Sequence, residues 1–415
     1  MKRFIRWTAV FVGGAMFACA GGATENWPQF RGPRGDGVGD GQPAPLTWSA
    51  TENVVWKTAI AGEGHSSPIV WGGAIFLTSA EKESGRRILL RLDARTGAIV
   101  WQKTVVTAPV ETMHRENSLA SSTPVTDGTH VFTSFQAGDR VDWRCFDFEG
   151  NEVWAVQPLA FNGEHGYSYT PVLHGDRLIF DCRQEGEAAV VALDKRTGKV
   201  LWRAEPAMKR ISHAPPLLIG SGPDVQVVVC GSNEIRSFNP TTGAANWWCK
   251  GPSNVGVAGL AYGDGMIFAA SGFPVKTRLA VRVDGRGDVS ESHVAWSLRK
   301  QVPYVPSPVF HAGHLYSIDD AGTLACFDAK TGEAKWDHRL GTGRVRSSLV
   351  LAAGRIYATS ESGVTTVFAA DPAAYRPLAS NRLGEFCYTT PAISSGRIYL
   401  RTGGHLYCIG GGGAE

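Results

Sequence analysis

The sequence predicts an all-β protein, an eight-bladed β-propeller of four-stranded antiparallel blades, and three observations lead to this fold class. A phrase that ends in tryptophan recurs along the 415 residues. A second phrase, with a Ser/Thr-Pro pair and a glycine turn between β-rich runs, precedes it in most units. The last unit lacks its final strand, and an isolated copy of that strand stands near the N-terminus. Together these features predict a ring of repeats that its N-terminal strand closes.

The tryptophan phrase marks the end of a repeat. It combines an acidic residue or Asn, the pair Thr-Gly and a Trp, as in LDARTGAIVW, LDKRTGKVLW, FNPTTGAANW and FDAKTGEAKW. The Trp residues from Trp56 to Trp336 recur every 40 to 53 positions, which is the length of one propeller blade. The glycine permits the positive φ of a tight turn between two strands. We interpret each Trp as an apolar plug between neighbouring blades.

The Ser/Thr-Pro phrase begins a repeat, as in SSPIVWGGAIFLTS, SSTPVTDGTHVFTS and TTPAISSGRIYLRT. Its β-rich runs, separated by glycine turns, are typical of hairpins. Each unit therefore contains four short strands. The units span 65–104, 121–156, 168–205, 212–249, 257–299, 305–339, 345–383 and a last one from Tyr388. That last unit stops after HLYCIG, so we expect ENVVWKTAI, residues 52–60, to supply its outer strand.

The N-terminus has the pattern of a secretion signal. Residues 1–20 hold a basic head, an apolar stretch from Trp7 to Ala18 that is too short to span a bilayer, and Ala18-Cys19-Ala20 as a cleavage site. The alternative is lipidation of Cys19, the one route by which we expect membrane attachment. The domain prediction is a signal peptide at 1–20, a lead-in at 21–50, one propeller at 51–410 and a Gly-rich tail at 411–415. The mature protein is expected in the periplasm or outside the cell.

Charge and cysteine usage exclude several classes of function. The chain has 41 basic and 38 acidic residues, and removing the signal takes away Lys2, Arg3 and Arg6 but no acidic residue. A neutral mature chain has no electrostatic footprint for nucleic acid. Seven cysteines remain, an odd number that cannot all pair within one chain. No cysteine or histidine spacing indicates a metal site.

The glycine-rich lead-in NWPQFRGPRGDGVGDG, residues 26–41, invites comparison with a phosphate-binding loop. Such a loop needs a strand before it and a helix after it to direct its N–H groups, and neither is predicted here. We expect instead that Trp27 and Phe30 pack against the propeller before the closing strand begins.

These motifs resemble the repeats of pyrroloquinoline-quinone (PQQ) propellers. The D-x-x-T-G-x-x-x-W phrase, with WPQFRGPRGDGV, NSLASSTPVTDG and RTGGHLYCIG, resembles the secreted bacterial PQQ-binding-like β-propeller repeat proteins from Trp27 to Gly410. The fold is also that of the quinoprotein alcohol dehydrogenases and the outer-membrane assembly lipoprotein. The resemblance therefore implies either PQQ-dependent oxidation with calcium or a protein-binding scaffold.

The residues favour a binding module over an enzyme. The resemblance implies, for the dehydrogenases, a vicinal Cys-Cys pair against the quinone, and this sequence has no adjacent cysteines and no assignable calcium or catalytic set. We therefore predict no catalytic residue and no bound cofactor, with a PQQ-dependent dehydrogenase as the alternative. The predicted partner is a protein or a small polar ligand.

A site on a propeller is expected where the loops between blades converge near the axis. Four histidines fall in four consecutive loops of this set, and other polar residues join them. The predicted ring consists of His65, His114, Arg115, Asn117, His165, His213, Arg344, Arg346, Glu385 and Tyr388. Imidazoles can donate, accept or ligate near neutral pH, so this ring suits a polar or anionic ligand. The alternative is that these are ordinary solvated loop residues.

Overall fold

We describe the protein from a computed structural model, in which residues 26–39, 43–206 and 209–411 are described. The predicted signal peptide, Cys19 and most of the predicted tail lie outside these residues. Within these ranges, no helix has the length and apolar character needed to cross a membrane.

The described chain is almost entirely β-structure, with one three-residue 3-10 turn at Gly222–Asp224. Its strands, in chain order, are β1 (Val38–Gly39), β2 (Val54–Ala59), β3 (Ile69–Trp71), β4 (Ala74–Glu81), β5 (Arg86–Asp93), β6 (Ile99–Thr107), β7 (Val125–Thr126), β8 (His130–Ala137), β9 (Arg140–Asp147), β10 (Glu152–Ala160), β11 (Val172–His174), β12 (Arg177–Cys182), β13 (Ala189–Asp194), β14 (Val200–Ala204), β15 (Leu217–Ile219), β16 (Gln226–Gly231), β17 (Glu234–Phe238), β18 (Ala245–Lys250), β19 (Ala261–Gly263), β20 (Met266–Ser271), β21 (Thr277–Arg282), β22 (Gly287–Asp288), β23 (Val294–Leu298), β24 (Val309–His311), β25 (His314–Ile318), β26 (Thr323–Asp328), β27 (Ala334–Arg339), β28 (Val350–Ala352), β29 (Arg355–Thr359), β30 (Val364–Ala369), β31 (Pro377–Arg382), β32 (Ala392–Ser394), β33 (Arg397–Arg401) and β34 (His405–Ile409).

These strands form eight antiparallel blades, which confirms the predicted fold class. Blades 1 to 3 are β3–β6, β7–β10 and β11–β14, and blade 4 is β15–β18 with β22 added in parallel at its outer edge. Blade 5 is β19, β20, β21 and β23, blade 6 is β24–β27, and blade 7 is β28–β31 with β1 in parallel on its inner edge. Blade 8 is β32–β34 with β2 as its outer strand.

The predicted closure is confirmed, because β2 pairs antiparallel with β34 across Trp56 and Cys408. The ring of blades therefore closes by hydrogen bonds between the two ends of the propeller. The apolar core lies mainly between blades. For example, the rings of Trp143 in blade 2 and Phe180 in blade 3 lie 4.8 Å apart, and both side chains are fully buried.

The tryptophan phrase joins six of the eight blades to the next one. The Asp93 carboxylate accepts hydrogen bonds from the backbone N–H and the hydroxyl of Thr96, which fixes the turn. Gly97 follows at φ +74°, and a Cβ there would lie 2.5 Å from the indole of Trp56. The indole N–H of Trp56 donates to the carbonyl of Ala94 at 3.1 Å. Corresponding indole bonds start from Trp101, Trp154, Trp202, Trp296 and Trp336.

A ring of hydroxyl groups joins the blades around the propeller axis. Its eight positions stand two residues before the first strand of each blade and are Ser67, Thr123, Thr170, Pro215, Gly259, Ser307, Ser348 and Thr390. The backbone N–H of Ser67 donates to Thr123 Oγ1 at 3.0 Å, and five similar bonds link other neighbours. The ring is interrupted at Pro215 and Gly259, since neither has a hydroxyl group and Pro215 also has no N–H. The recurring Ser or Thr is therefore an inter-blade link.

The lead-in is a plug that crosses one end of the propeller. Trp27 pairs with Val70 of blade 1 through both backbone groups and is 1% exposed, so the predicted packing of Trp27 is confirmed. Arg31 is also 1% exposed and donates to the carbonyls of Leu260 and Pro308, which belong to blades 5 and 6. Phe30 is half-buried and lines the central channel. The plug therefore closes this end of the channel.

The seven cysteines in the described residues are all free and buried. Burial raises the pKa of these thiols, for example that of Cys387 to about 11. They behave as small apolar side chains of the strands and loops, not as ligands.

Candidate functional site

The end of the channel opposite the plug opens into a cavity of about 610 Å³. The cavity lies on the face where each outer strand is joined to the next blade, here called the loop face. Nine of the ten residues in the predicted ring line it: His65, His114, Arg115, Asn117, His165, His213, Arg344, Arg346 and Tyr388. Whether they bind a ligand stays a prediction.

Glu385, the tenth residue, does not line this cavity. Its carboxylate pairs with Lys57 at 2.9 Å and accepts hydrogen bonds from Thr402, His405 and Tyr407. Burial alone would raise the pKa of Glu385, but these hydrogen bonds lower it to about 2. Since Lys57 belongs to β2 and the other three partners lie in or beside β34, Glu385 stabilises the closure of blade 8 instead.

Below the cavity, eight side chains at equivalent positions surround the axis, and we call them the throat tier. Each stands two residues before its member of the hydroxyl ring. The tier consists of His65, Ser121, Ser168, His213, Val257, Val305, Arg346 and Tyr388, around a chamber of about 150 Å³ with Phe30 at its wall. His65 and His213 are therefore equivalent positions. Pro68 and Pro216 each stand one residue before the first strand of a blade, three residues after His65 and His213 respectively.

Two neutral imidazoles belong to the throat tier. The rings of His65 and Tyr388 are nearly perpendicular, with centroids 4.8 Å apart. His213 Nδ1 shares a hydrogen bond of 2.7 Å with the Ser168 hydroxyl, and its ring stacks on Tyr169. Burial lowers the pKa of each histidine to about 4. Arg401 and Lys82 lower the pKa of His65 further, and His165 lowers that of His213 further. Both rings are therefore uncharged at neutral pH, and each offers one donor and one acceptor.

These two histidines predict acid destabilisation. The folded pKa of about 4 lies below the ordinary value of 6.5, so the unfolded chain binds more protons between these values. Stability therefore falls as pH drops from about 6.5 to about 4. We expect the unfolding free energy of a His65→Gln/His213→Asn variant to fall less steeply over this range than that of the parent. Urea denaturation at half-unit pH steps measures this, with His311→Gln on β24 as the control, and parallel slopes would contradict it.

A loop between blades 1 and 2 forms one wall of the cavity, and we call its residues 109–117 the strap. Its base is held by Arg87, which is 1% exposed and pairs with the carboxylate of Glu111. Farther along, the His114 ring stacks on His165 at 5.7 Å, and the Asn117 amide donates to the His165 carbonyl at 2.6 Å. The strap therefore packs along the loop that joins blades 2 and 3.

The strap also reaches across the cavity to the loop between blades 6 and 7. The Glu116 carboxylate lies 2.8 Å from Arg344 and 2.5 Å from Arg346. Arg346 also pairs with Asp320 at 2.7 Å and with Glu361 at 3.0 Å. Burial raises the pKa of both of these carboxyl groups, although Arg346 opposes the shift.

The sequence did not single out several residues that line this cavity: Glu116, Ser168, Val257, Gly272, Lys276, Tyr304, Val305 and Asp320. Ser168, Val257 and Val305 stand at throat positions, so alignment of the repeats could have found them. Lys276 and Asp320 come from turns inside blades 5 and 6, and no signal in the loops between blades points to them. Nothing in the sequence distinguishes Glu116 from other charged residues, because its partners Arg344 and Arg346 are 228 and 230 positions away.

Comparison with known proteins defines the family. The family model described as "Outer membrane protein assembly factor BamB" matches residues 38–144, 137–272 and 231–376, which is most of the chain. The chain belongs to this family. No curated protein has a sequence that matches the chain.

Solved structures of this family's fold superpose over most of the chain. BamB from Moraxella catarrhalis is 15% identical with a TM-score of 0.60, covering 86% of this chain and 99% of its own. The quinohemoprotein alcohol dehydrogenase ADHIIG from Pseudomonas putida HK5 is 12% identical with a TM-score of 0.61, covering 94% and 81%. A europium-containing methanol dehydrogenase is 13% identical with a TM-score of 0.59, covering 92% and 90%. At these identities the likeness establishes the fold alone.

Proposed function

We propose that this member of the BamB-like family is an exported, non-catalytic binding module that holds a small, hydroxyl-rich ligand of saccharide size in the cavity on its loop face. The observation that carries the proposal is the throat tier, a closed ring of side chains above a plugged channel. A pocket of about 610 Å³ lies within the ~300–1,000 Å³ range of small-molecule sites.

The throat tier has one apolar and one polar side. Val257 and Val305 come from the loops that lead into the neighbouring blades 5 and 6 and present methyl groups to the axis. His65, Ser168 and His213 come from other blades and present neutral donors and acceptors. A sugar has the matching surfaces, since its C–H face can contact the valines while its hydroxyl groups hydrogen-bond with the imidazoles and Ser168.

A panel of neutral mono-, di- and trisaccharides, titrated by calorimetry, tests this proposal. We expect saturable binding of at least one sugar, weakened several-fold or more by His65→Ala combined with His165→Ala. Each lost hydrogen bond costs ~0.5–1.5 kcal/mol. His311→Ala on β24 is the matched control and should bind like the parent. Absence of binding throughout the panel, or equal binding by the double variant, would contradict the proposal.

The residues around the cavity do not fit PQQ with calcium. Glu116, Asp320 and Glu361 supply carboxylates in and beside the cavity, and each is paired with Arg346. The described residues contain no group of three or more His, Cys, Asp or Glu side chains placed to hold a metal ion. No two cysteines are adjacent in the sequence, so the vicinal disulfide that the resemblance implies has no counterpart.

We therefore expect PQQ titrated with calcium to give no saturable binding below about 1 mM, which corresponds to ~4 kcal/mol. Dye-linked oxidation of alcohols and aldoses should be absent. Fluorescence titration and a dye-reduction assay measure these two outcomes. Micromolar PQQ binding with turnover would favour the dehydrogenase alternative.

A protein partner is the second candidate function, and exposed apolar side chains near the cavity favour it. Phe273 and Val275 are 58% and 46% exposed beside the cavity residues Gly272 and Lys276. Phe386, which is 57% exposed, stands two residues before Tyr388. Aromatic side chains are enriched at protein–protein interfaces, so exposed ones are candidates for a docking surface. If the ligand is small and these exposed side chains bind a separate protein partner, a Phe273→Ser/Phe386→Ser variant should still bind the saccharide.

A further inference from the structure

We propose that Arg344 and Arg346 form a carboxylate-binding subsite of the cavity, which Glu116 of the strap occupies in the ligand-free protein. The ligand would then carry a carboxylate, as an acidic saccharide does, and would displace Glu116 when it binds. This inference rests on the proposed function for the location of the ligand, but the subsite itself can be tested separately.

The geometry at the two arginines is that of a carboxylate site. The two oxygens of Glu116 are divided between them, with Oε1 at 2.8 Å from Arg344 and Oε2 at 2.5 Å from Arg346. Guanidinium groups present fixed N–H forks that match the two oxygens of a carboxylate. Both arginines line the cavity, so a ligand in the cavity can reach the position that Glu116 now holds.

Two partners other than Glu116 hold the Arg346 side chain in place. Its side chain is 11% exposed and pairs with Asp320 and Glu361 as well as with Glu116. Asp320 is fixed in turn, because it accepts a hydrogen bond from the backbone N–H of Tyr304 at 2.7 Å. The subsite is therefore preorganised by residues of blades 6 and 7, and Glu116 is the one partner that comes from across the cavity.

The attachment of the strap is uneven along its length. Its base is fixed by the buried pair of Arg87 and Glu111, and Glu111 also accepts a hydrogen bond from the Gly138 N–H. In the described part of the chain, the hydrogen bonds and ion pairs that join the strap to residues 341–347 are those of Glu116 alone. The Glu116–Arg344 pair is open to water, since the Arg344 side chain is 53% exposed, and such pairs contribute little. The Glu116–Arg346 pair is more shielded, since Arg346 is 11% exposed, so a ligand carboxylate must bind both arginines to replace Glu116.

The test uses citrate, a compact carboxylate that does not depend on saccharide recognition, and calorimetric titration of the full mature protein. We expect Glu116→Gln to bind citrate at least tenfold more tightly than the parent, because the competing carboxylate is gone. Glu83→Gln, which removes an exposed carboxylate on the β4–β5 turn, should bind citrate like the parent. Adding Arg344→Gln to Glu116→Gln should remove most of the gain. Arg344 is half-exposed, so this variant should keep the parent's thermal midpoint.

Hydrogen–deuterium exchange gives a second measurement on the same proteins. We expect the amides of residues 112–117 to exchange faster in Glu116→Gln, and faster in the parent when citrate is present. Equal citrate affinity in parent and Glu116→Gln, or a gain that persists in the Arg344→Gln background, would overturn the subsite even if neutral sugars bind. Tight citrate binding by Glu116→Gln with no sugar binding anywhere would support the subsite and reject the hydroxyl-rich ligand.

Discussion

Deletion of residues 51–60 is expected to abolish the cooperative unfolding of the propeller. This deletion removes β2, which is the outer strand of blade 8, and so exposes the edge of β34 along His405–Ile409. It also removes the Trp56 indole that packs on Gly97 and donates to Ala94 of blade 1. Blade 8 would lose both its outer strand and the contact of Trp56 with blade 1. The unpaired edge of β34 would then promote association between protein molecules.

Urea denaturation and light scattering measure the result. A shallower, non-two-state transition or soluble aggregates are expected for the deletion. Thr58→Pro separates loss of strand pairing from loss of ten residues, since it keeps the chain length but interrupts the β2–β34 ladder at Leu406. Truncation after Gly411 is the control and should unfold like the parent. A deletion variant with the midpoint and cooperativity of the parent would show that β2 does not close the ring.

Arg31→Met is expected to lower the unfolding free energy by about 3–5 kcal/mol. The guanidinium of Arg31 is buried and donates to the carbonyls of Asp36, Leu260 and Pro308. Burial lowers the pKa of Arg31 to about 10, so the group is still charged at neutral pH. Methionine fills part of the space but leaves these carbonyl oxygens without their donor, and each unsatisfied buried acceptor costs about 1–3 kcal/mol.

Arg34→Met is the matched control, because Arg34 lies three residues later in the same plug with 46% of its side chain exposed. We expect this change to cost no more than about 1 kcal/mol. Guanidinium chloride denaturation of both variants measures the difference, and limited proteolysis should cut the lead-in of Arg31→Met first. If both variants unfold at the same denaturant concentration, the plug does not contribute to the stability of the blades.

The location of the site followed partly from the repeats. Residues at equivalent positions of a closed ring face the same axis, so His65 and His213 could be placed together from their distance to the first strand of each blade. Glu385 lies in a loop of the same set, but its neighbours Lys57 and Tyr407 hold it at blade 8, away from the lining of the cavity. The position of a residue within the repeat determines its depth along the channel axis. The direction of its side chain depends on the groups that surround it in the folded protein.

The sequence by itself determined the number of blades, the strand order and the closure, because these depend on local chemistry that recurs at fixed spacing. For example, the Asp93 carboxylate accepts a hydrogen bond from the backbone N–H of Thr96, three residues later. Gly97 adopts the positive φ of this turn, and the Trp56 indole packs on it. Only the tertiary structure decided that Glu116 meets Arg344 and Arg346, and that Arg31 crosses to blades 5 and 6. These contacts join residues more than 200 positions apart, and their side chains meet only after ring closure brings distant loops to one axis.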